Sequence, residues 1–402
     1  MKTPGEKKLI PELAELLKQQ FPHELAHNQS RINKLVSDPG AQKQFLAQLL
    51  KIMALIFSPR IRAAFFRAYL RIYAYKINKD GRHGSVVLEI TKHCNQQCQH
   101  CYSQAQRKKS MPGQHIEQII KFVRNNYRHI FITGGEPSLD KRVLAIAKAN
   151  PDIMFFMFTN GGPIDQAYAR KLSALGNLIP VLSIDGDSQK QHDYFKGPGS
   201  WRKVMRAIEV LNSVGMPWGF LSMVTNLNAR QVLSKKFIKT MKQKGAILAR
   251  YLEFIPVGPR VKPALVPSAE TYYLMEKRKR EIINNAEIYM QETVQKKCLG
   301  LVFFDVDGNI KCCPFFHYSK HHVGQGNIEE LIKDSSADWC RNKYSGECPV
   351  YSDQEGLKEH LLKRSWKPTV SFNPENSITP QLAKVMSDNY RSFLKIKSAR
   401  GL

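Results

Sequence analysis

From residue 86 onward, short runs of apolar residues alternate with stretches in which apolar positions recur every three or four residues. The runs Val86–Thr91, His129–Thr133, Ile153–Thr159, Leu178–Ile184, Trp218–Thr225 and Ala249–Ile255 are apolar almost throughout, the pattern of strands covered on both faces. Helical spacing falls between them, near residues 114–126, 139–149, 164–174, 200–214 and 229–244. Each strand-plus-helix unit takes about thirty residues, the length of a βα repeat in a parallel sheet. The pattern predicts an α/β fold, a partial (β/α)6 barrel of the TIM type, with its chemistry on the loops at the C-terminal ends of the strands.

Four regions follow from the changes in pattern: a basic helical region at 1–84, the βα core at 85–260, a cysteine-rich region at 261–350 and a polar helical tail at 351–402. In the first, Leu9 to Phe21 has helical spacing, with Pro11 where a first turn tolerates it. Between Pro39 and Lys79 there is no Asp or Glu, and Arg60, Arg67 and Arg71 share a helix with Phe65, Phe66, Tyr69 and Tyr73. Such a helix, at 60–79, can rest on an anionic membrane or clasp an acidic partner, or it can pack on the core with its arginines in water. A polar helix is predicted over 268–295, with the run Lys277-Arg278-Lys279-Arg280 as its solvated face.

Composition narrows the setting. The 402 residues include 61 Lys+Arg against 34 Asp+Glu, a net charge of +27. That field favours anionic partners without choosing among nucleic acid, lipid headgroups and acidic peptides, and a basic proteome would give the same number. The N-terminus lacks a secretory layout. The longest apolar stretch, Phe45 to Ser58, is interrupted by Lys51 and stopped by Pro59, short of the ~20 residues of a spanning helix. A cytoplasmic protein is expected, with residues 60–79 offering a peripheral contact to the inner membrane. In that reducing compartment the eight cysteines, three at 94–101 and five at 298–348, point to metal or catalysis rather than disulfides.

The first group, Cys94-x3-Cys98-x2-Cys101, directly follows the first predicted strand. Three thiolates on one loop can hold three irons of a cubane cluster and leave the fourth open to a small molecule. Structural zinc is the competing reading; it needs a fourth ligand, for which His93 and His100 are nearest.

CxxxCxxC after a first strand, with the aromatic His100 before the last cysteine, resembles the radical S-adenosylmethionine (SAM) superfamily. The resemblance implies a [4Fe–4S] cluster on Cys94, Cys98 and Cys101 whose open iron is chelated by SAM, and cleavage of SAM to a 5′-deoxyadenosyl radical that abstracts hydrogen from a substrate. It extends along successive strand ends. Gly134-Gly135-Glu136-Pro137 is similar to the family's segment whose backbone meets the SAM amino group, and glycine there permits close approach. Asn160, Ser183 and Asp185 resemble positions that bond the ribose or carboxylate of SAM. In His192-Asp193-Tyr194-Phe195-Lys196, Lys196 stands where the family has an arginine on the SAM carboxylate; lysine cannot make that bidentate contact. Thr225 and Asn226 are candidate polar contacts, and Leu252 resembles an apolar residue flanking adenine.

The second group, Cys298-x9-Gly308-x4-Cys313, is similar to the opening of the SPASM extension, with Asp305–Asn309 predicted as the turn of a hairpin between Leu301–Phe304 and Ile310–Cys312. The usual continuation is missing. Cys298, Cys313, Cys340 and Cys348 make four thiolates, enough for a second, single Fe–S cluster or for a structural zinc. Cys312 is a spare, packed or ligating. The position after the second extension cysteine, an aspartate base in some relatives, is Pro314.

The resemblance implies a peptide or protein substrate undergoing modification, and a reductant such as flavodoxin or ferredoxin. A lipid or tetrapyrrole substrate at the membrane is the alternative within the class. From another class, a non-catalytic zinc protein binding nucleic acid explains the charge and cysteines but not the motifs at successive strand ends.

Overall fold

The computed structural model describes residues 85–103, 108–127, 129–257, 262–285, 289–293, 301–315, 317–339, 359, 363–369 and 380–400. The basic helix expected at 60–79, and Cys298, Cys340 and Cys348, lie outside the described residues.

Six parallel strands form the core in chain order: β1 (Ser85–Thr91), β2 (His129–Gly134), β3 (Met154–Thr159), β4 (Leu178–Ser183), β5 (Trp218–Val224) and β6 (Ala246–Glu253). Helices α1 (Gly113–Asn126), α2 (Arg142–Ala149), α3 (Gln166–Leu175), α4 (Gln189–Lys196), α5 (Ser200–Ser213), α6 (Ala229–Val232) and α7 (Lys235–Gln243) connect them. The strands are buried nearly throughout, so their continuous apolar runs are what two covered faces require. The sheet is an open, partial barrel: β7 (Tyr289–Thr293) extends it in parallel beyond β6, and β8 (Leu301–Phe304) pairs in parallel with β1 at the other side.

Four expectations need correction. The helix predicted over 268–295 ends earlier, as α8 (Ala269–Asn285), and Tyr289–Thr293 is a strand. The stretch 229–244 is two helices, because the Ser234 hydroxyl caps α7, accepting the Phe237 N–H at 3.0 Å. Strand β6 begins at Ala246 rather than Ala249. Helix α4 was not predicted; its sequence, Gln-Lys-Gln-His-Asp-Tyr-Phe-Lys, carries no apolar stripe.

The predicted hairpin is present, with β8 antiparallel to β9 (Asn309–Lys311). Its turn needs glycine, since Gly308 has φ +88° and a side chain there would meet the His322 ring at 2.7 Å. The hairpin is a continuation of the core sheet, with β11 (His321–His322) at its outer side; β10 (Tyr318–Ser319) pairs with β12 (Lys367–Pro368). After α9 (Ile328–Trp339), the long α10 (Pro380–Ala399) packs on α8, the Tyr272 ring lying 5.8 Å from Tyr390 and 5.9 Å from Phe393. Among the described residues, no helix is long and apolar enough to cross a membrane.

Candidate functional site

The loop of Cys94, Cys98 and Cys101 leaves the C-terminal end of β1, and backbone bonds fasten it to the next strand end. Gly135 N–H donates to Thr91 O at 2.7 Å, and Glu136 N–H donates to His93 O at 2.6 Å. A Cβ on Gly134 would lie 2.2 Å from Thr91 O, and one on Gly135 would lie 2.2 Å from His93 O. Gly134 is therefore required by contact with the last residue of β1, and Gly135 by contact with the start of the cysteine loop. All three cysteines are free thiols of intermediate exposure.

Glu136 is buried, and its carboxylate is engaged with the chain itself. One oxygen accepts from Ser138 Oγ at 2.6 Å, Ser138 N at 3.1 Å and Thr159 Oγ1 at 2.6 Å; the other accepts from Asn160 N at 2.6 Å. Burial pushes its pKa up, against these hydrogen bonds. It joins the ends of β2 and β3. Asn160 in turn donates to Asn95 Oδ1 at 2.6 Å, within the cysteine loop, and its own oxygen accepts from Gly162 N at 2.8 Å. Asn95 was not singled out in the sequence, where it reads as one of the spacer residues between cysteines.

Asp185, just past β4, is fully buried. One carboxylate oxygen meets His100 Nε2 at 2.9 Å and Lys196 Nζ at 3.0 Å, and the other accepts from Met223 N at 2.7 Å. Burial alone would raise its pKa, but Lys196 and His100 hold it well below the usual carboxylate range. Gln99 N–H donates to Phe195 O at 2.8 Å, and the His100 ring lies 5.6 Å from that of Phe195. The cysteine loop is thus fastened to α4 as well.

The other motif residues on α4 have structural work. His192 Nδ1 accepts from Asp185 N at 3.2 Å, and burial lowers its pKa to about 4 although Asp185 opposes this. The Asp193 carboxylate caps α5, accepting from Gly199 N, Ser200 Oγ and Trp201 N at 2.9, 2.9 and 2.8 Å. Thr225 is spent locally, donating to Asn228 Oδ1 through N and Oγ1 at 2.8 and 2.9 Å. Asn228 also donates to Asp185 O and Met223 O, at 3.0 and 2.9 Å, linking the ends of β4 and β5; as an ordinary turn asparagine it gave no sequence signal. Asn226 N–H donates to Leu265 O at 3.1 Å, and its side-chain oxygen accepts from Thr271 Oγ1 at 3.3 Å. Ser183 ends β4 half-buried, and Leu252, half-buried on β6, touches both the main core and a second apolar cluster.

That second cluster holds Cys313. It packs with Phe315, Tyr318, Trp366, Phe195 and Met223, with Tyr102 and Cys312 at its margin. The Tyr102 ring meets Phe315 edge-on, centroids 5.2 Å apart. The structure therefore brings the hairpin's cysteines over the same rim as the first loop. A further link is the buried Glu89 on β1, whose carboxylate accepts from Ser103 Oγ at 3.0 Å and from Val306 N in the hairpin turn at 3.1 Å.

Burial pushes the Cys94 thiol up to about 11, the Cys98 thiol up, and the Cys101 thiol up to about 12. Three thiolates here call for positive charge in the same space, as a metal group provides. Among the described residues no three His, Cys, Asp or Glu side chains converge on a single metal ion. The fit to a larger, multi-iron group rests on the all-sulfur donors on one loop and on the glycine cradle that holds the loop against β2. Three sulfur donors could hold such a group with one iron left for a small molecule.

Parallel βα units with a three-thiol loop after the first strand were compared with known proteins. Residues 88–234 match the radical SAM superfamily. Over that stretch the chain is similar to the enzymes of that superfamily, whose members use a [4Fe–4S] cluster and SAM. It is 27% identical over 181 residues to an AdoMet-dependent heme synthase of Nitratidesulfovibrio vulgaris, covering 43% of this chain and 48% of that one. To the mycofactocin maturase MftC of Mycolicibacterium smegmatis it is 24% identical over 266 residues, 59% of this chain and 65% of the relative. The chain thus spans about half the length of the heme synthase it matches. Among solved structures, native anSMEcpe with bound AdoMet and the Cp18Cys peptide superposes with TM-score 0.53 at 18% identity, over 79% of this chain and 97% of the other; that likeness is one of fold.

Proposed function

We propose that this enzyme binds SAM across the rim above β1–β6, cleaves it reductively and abstracts hydrogen from a peptide or protein that it modifies. The observation that carries this reading is the three-thiol loop clamped by backbone contact to Gly134-Gly135. When bound, the cluster and SAM together supply the 5′-deoxyadenosyl radical. The chain's own residues present the sulfur ligands, order the loop through Asp185, Asn160 and Phe195, and close the site with the apolar cluster around Cys313. Cys94, Cys98 and Cys101 are assigned to the catalytic cluster, and Cys313 with Cys298, Cys340 and Cys348 to a second one. Gly134, Gly135, Asn160, Ser183, Lys196 and Leu252 are placed around SAM.

The peptide assignment draws on the maturase relative and on the structural neighbour solved with a peptide. With a net charge of +27, an anionic electron carrier of the flavodoxin or ferredoxin type is the proposed reductant. The test is anaerobic reconstitution followed by dithionite and SAM. 5′-Deoxyadenosine is expected from the native chain and none from the variant with Cys94, Cys98 and Cys101 replaced by Ala. Deuterium passing from a labelled candidate peptide into 5′-deoxyadenosine supports the substrate class. A reconstituted protein that holds iron yet never cleaves SAM overturns the reading.

A further inference from the structure

Resting on that functional reading, a second role emerges for the end of α4. Lys196 is the last residue of this helix, and its side chain is only 9% exposed. Its ammonium sits 3.0 Å from the Asp185 oxygen that also meets His100 at 2.9 Å. His100 lies between Cys98 and Cys101, Gln99 N–H is bonded to Phe195 O at 2.8 Å, and the His100 ring rests on Phe195. A buried cation is therefore fixed beside the three-thiol loop by three separate ties, none of which requires a ligand.

Through Asp185 and His100 on one side and the Gln99–Phe195 bond on the other, its charge is held in the buried space that the loop of Cys94, Cys98 and Cys101 borders. A charge removed from water acts far more strongly on its neighbours than an exposed one. For iron–sulfur groups, local charge is one of the protein's main controls on reduction potential. We propose that Lys196 is a positioning and electrostatic residue that raises the reduction potential of the group held by Cys94, Cys98 and Cys101, so that a modest donor can reduce it. The step concerned is uptake of one electron from an external reductant, with no bond made or broken. Asp185 opposes the same charge while holding it in place.

The two residues should therefore act with opposite sign. The full chain, reconstituted with iron and sulfide, is titrated anaerobically with dithionite and mediators, and the midpoint is read by EPR of the signal that is lost in Cys94→Ala. SAM is left out, so a lost contact to SAM cannot produce the change. Lys196→Met is expected to move the midpoint to more negative potential, Lys196→Arg to leave it near the native value, and Asp185→Asn to move it positive. Coincidence of all four proteins overturns the proposal. So does a shift of Asp185→Asn in the same direction as Lys196→Met, the mark of a loop merely loosened. Should Lys196→Met fail to retain iron, the Arg and Asn variants still decide: an unmoved Arg midpoint with a positive Asn shift supports the role, and any other pair overturns it. A native chain that binds no iron sinks the functional reading itself, and the Lys196 role with it.

Discussion

The two cysteine regions are held by different means. The loop of Cys94, Cys98 and Cys101 is fastened by directed polar bonds to the ends of β2, β3 and β4 and to α4, through Gly135, Glu136, Asn160, Asp185 and Phe195. Cys313 is held largely by apolar packing among Phe315, Tyr318, Trp366 and Phe195. Directed bonds fix a geometry, and their loss is felt at the site itself. Apolar packing is less directional and adapts to a change of shape at lower cost. The first region is thus built for position and the second for coverage.

The largest effect should come from Gly135→Ala, which forces a methyl to within 2.2 Å of His93 O, a backbone atom that cannot swing aside. A cost of about 3 kcal/mol is expected, together with loss of iron from the first loop, read by unfolding and by iron analysis. A similar stability loss should follow Phe315→Ala, about 3 kcal/mol for a buried phenyl ring, but here the first loop should keep its iron and 5′-deoxyadenosine should still form. Equal damage to SAM cleavage in both variants would erase the distinction between the two regions.

Acid should act on the first region through His192. Burial, against the pull of Asp185, keeps its imidazole neutral down to about pH 4, whereas an unfolded histidine titrates near ~6.5. Between these values the unfolded chain binds more protons. The stabilisation is therefore complete above pH ~6.5 and is lost as the pH falls toward 4, by about 3 kcal/mol in all. Denaturant unfolding of the iron-free chain at pH 7 and 4.5 measures this, and His192→Gln should flatten the slope. The smallest effect is that of Asp193→Ala, the loss of one helix cap, about 1 kcal/mol. A helical circular-dichroism midpoint that does not move would show that α5 needs no such cap.

Much of this was legible beforehand, for an identifiable reason. Strands β1 to β6 are covered on both faces, so burial leaves an unbroken apolar run in each, and the cysteine and glycine motifs are local. Strand β7 was hidden because Tyr-Met-Gln-Glu-Thr lacks such a run at the margin of the sheet. Helix α4 was hidden because Asp185, Gln99 and the cap on α5 tie it to the rest of the fold, not an apolar stripe. The motif residues themselves divide in the same way. Their chemical type is visible in the chain, but the partners that occupy Glu136, Thr225, His192 and Asp193 are set by how strand ends meet, which no local pattern records.

The docking of β8 beside β1 also has a temporal side. Val306, whose N–H is held by the Glu89 carboxylate, comes 217 positions after it. At about 5–20 residues per second of synthesis, β8 becomes available to the outer edge of β1 only roughly 10–40 s after that strand is made. An apolar strand edge left open that long invites wrong pairing. The flank of the core that carries the three thiols is thus among the last to be sealed, and the newborn chain offers them to its surroundings before the hairpin closes over them.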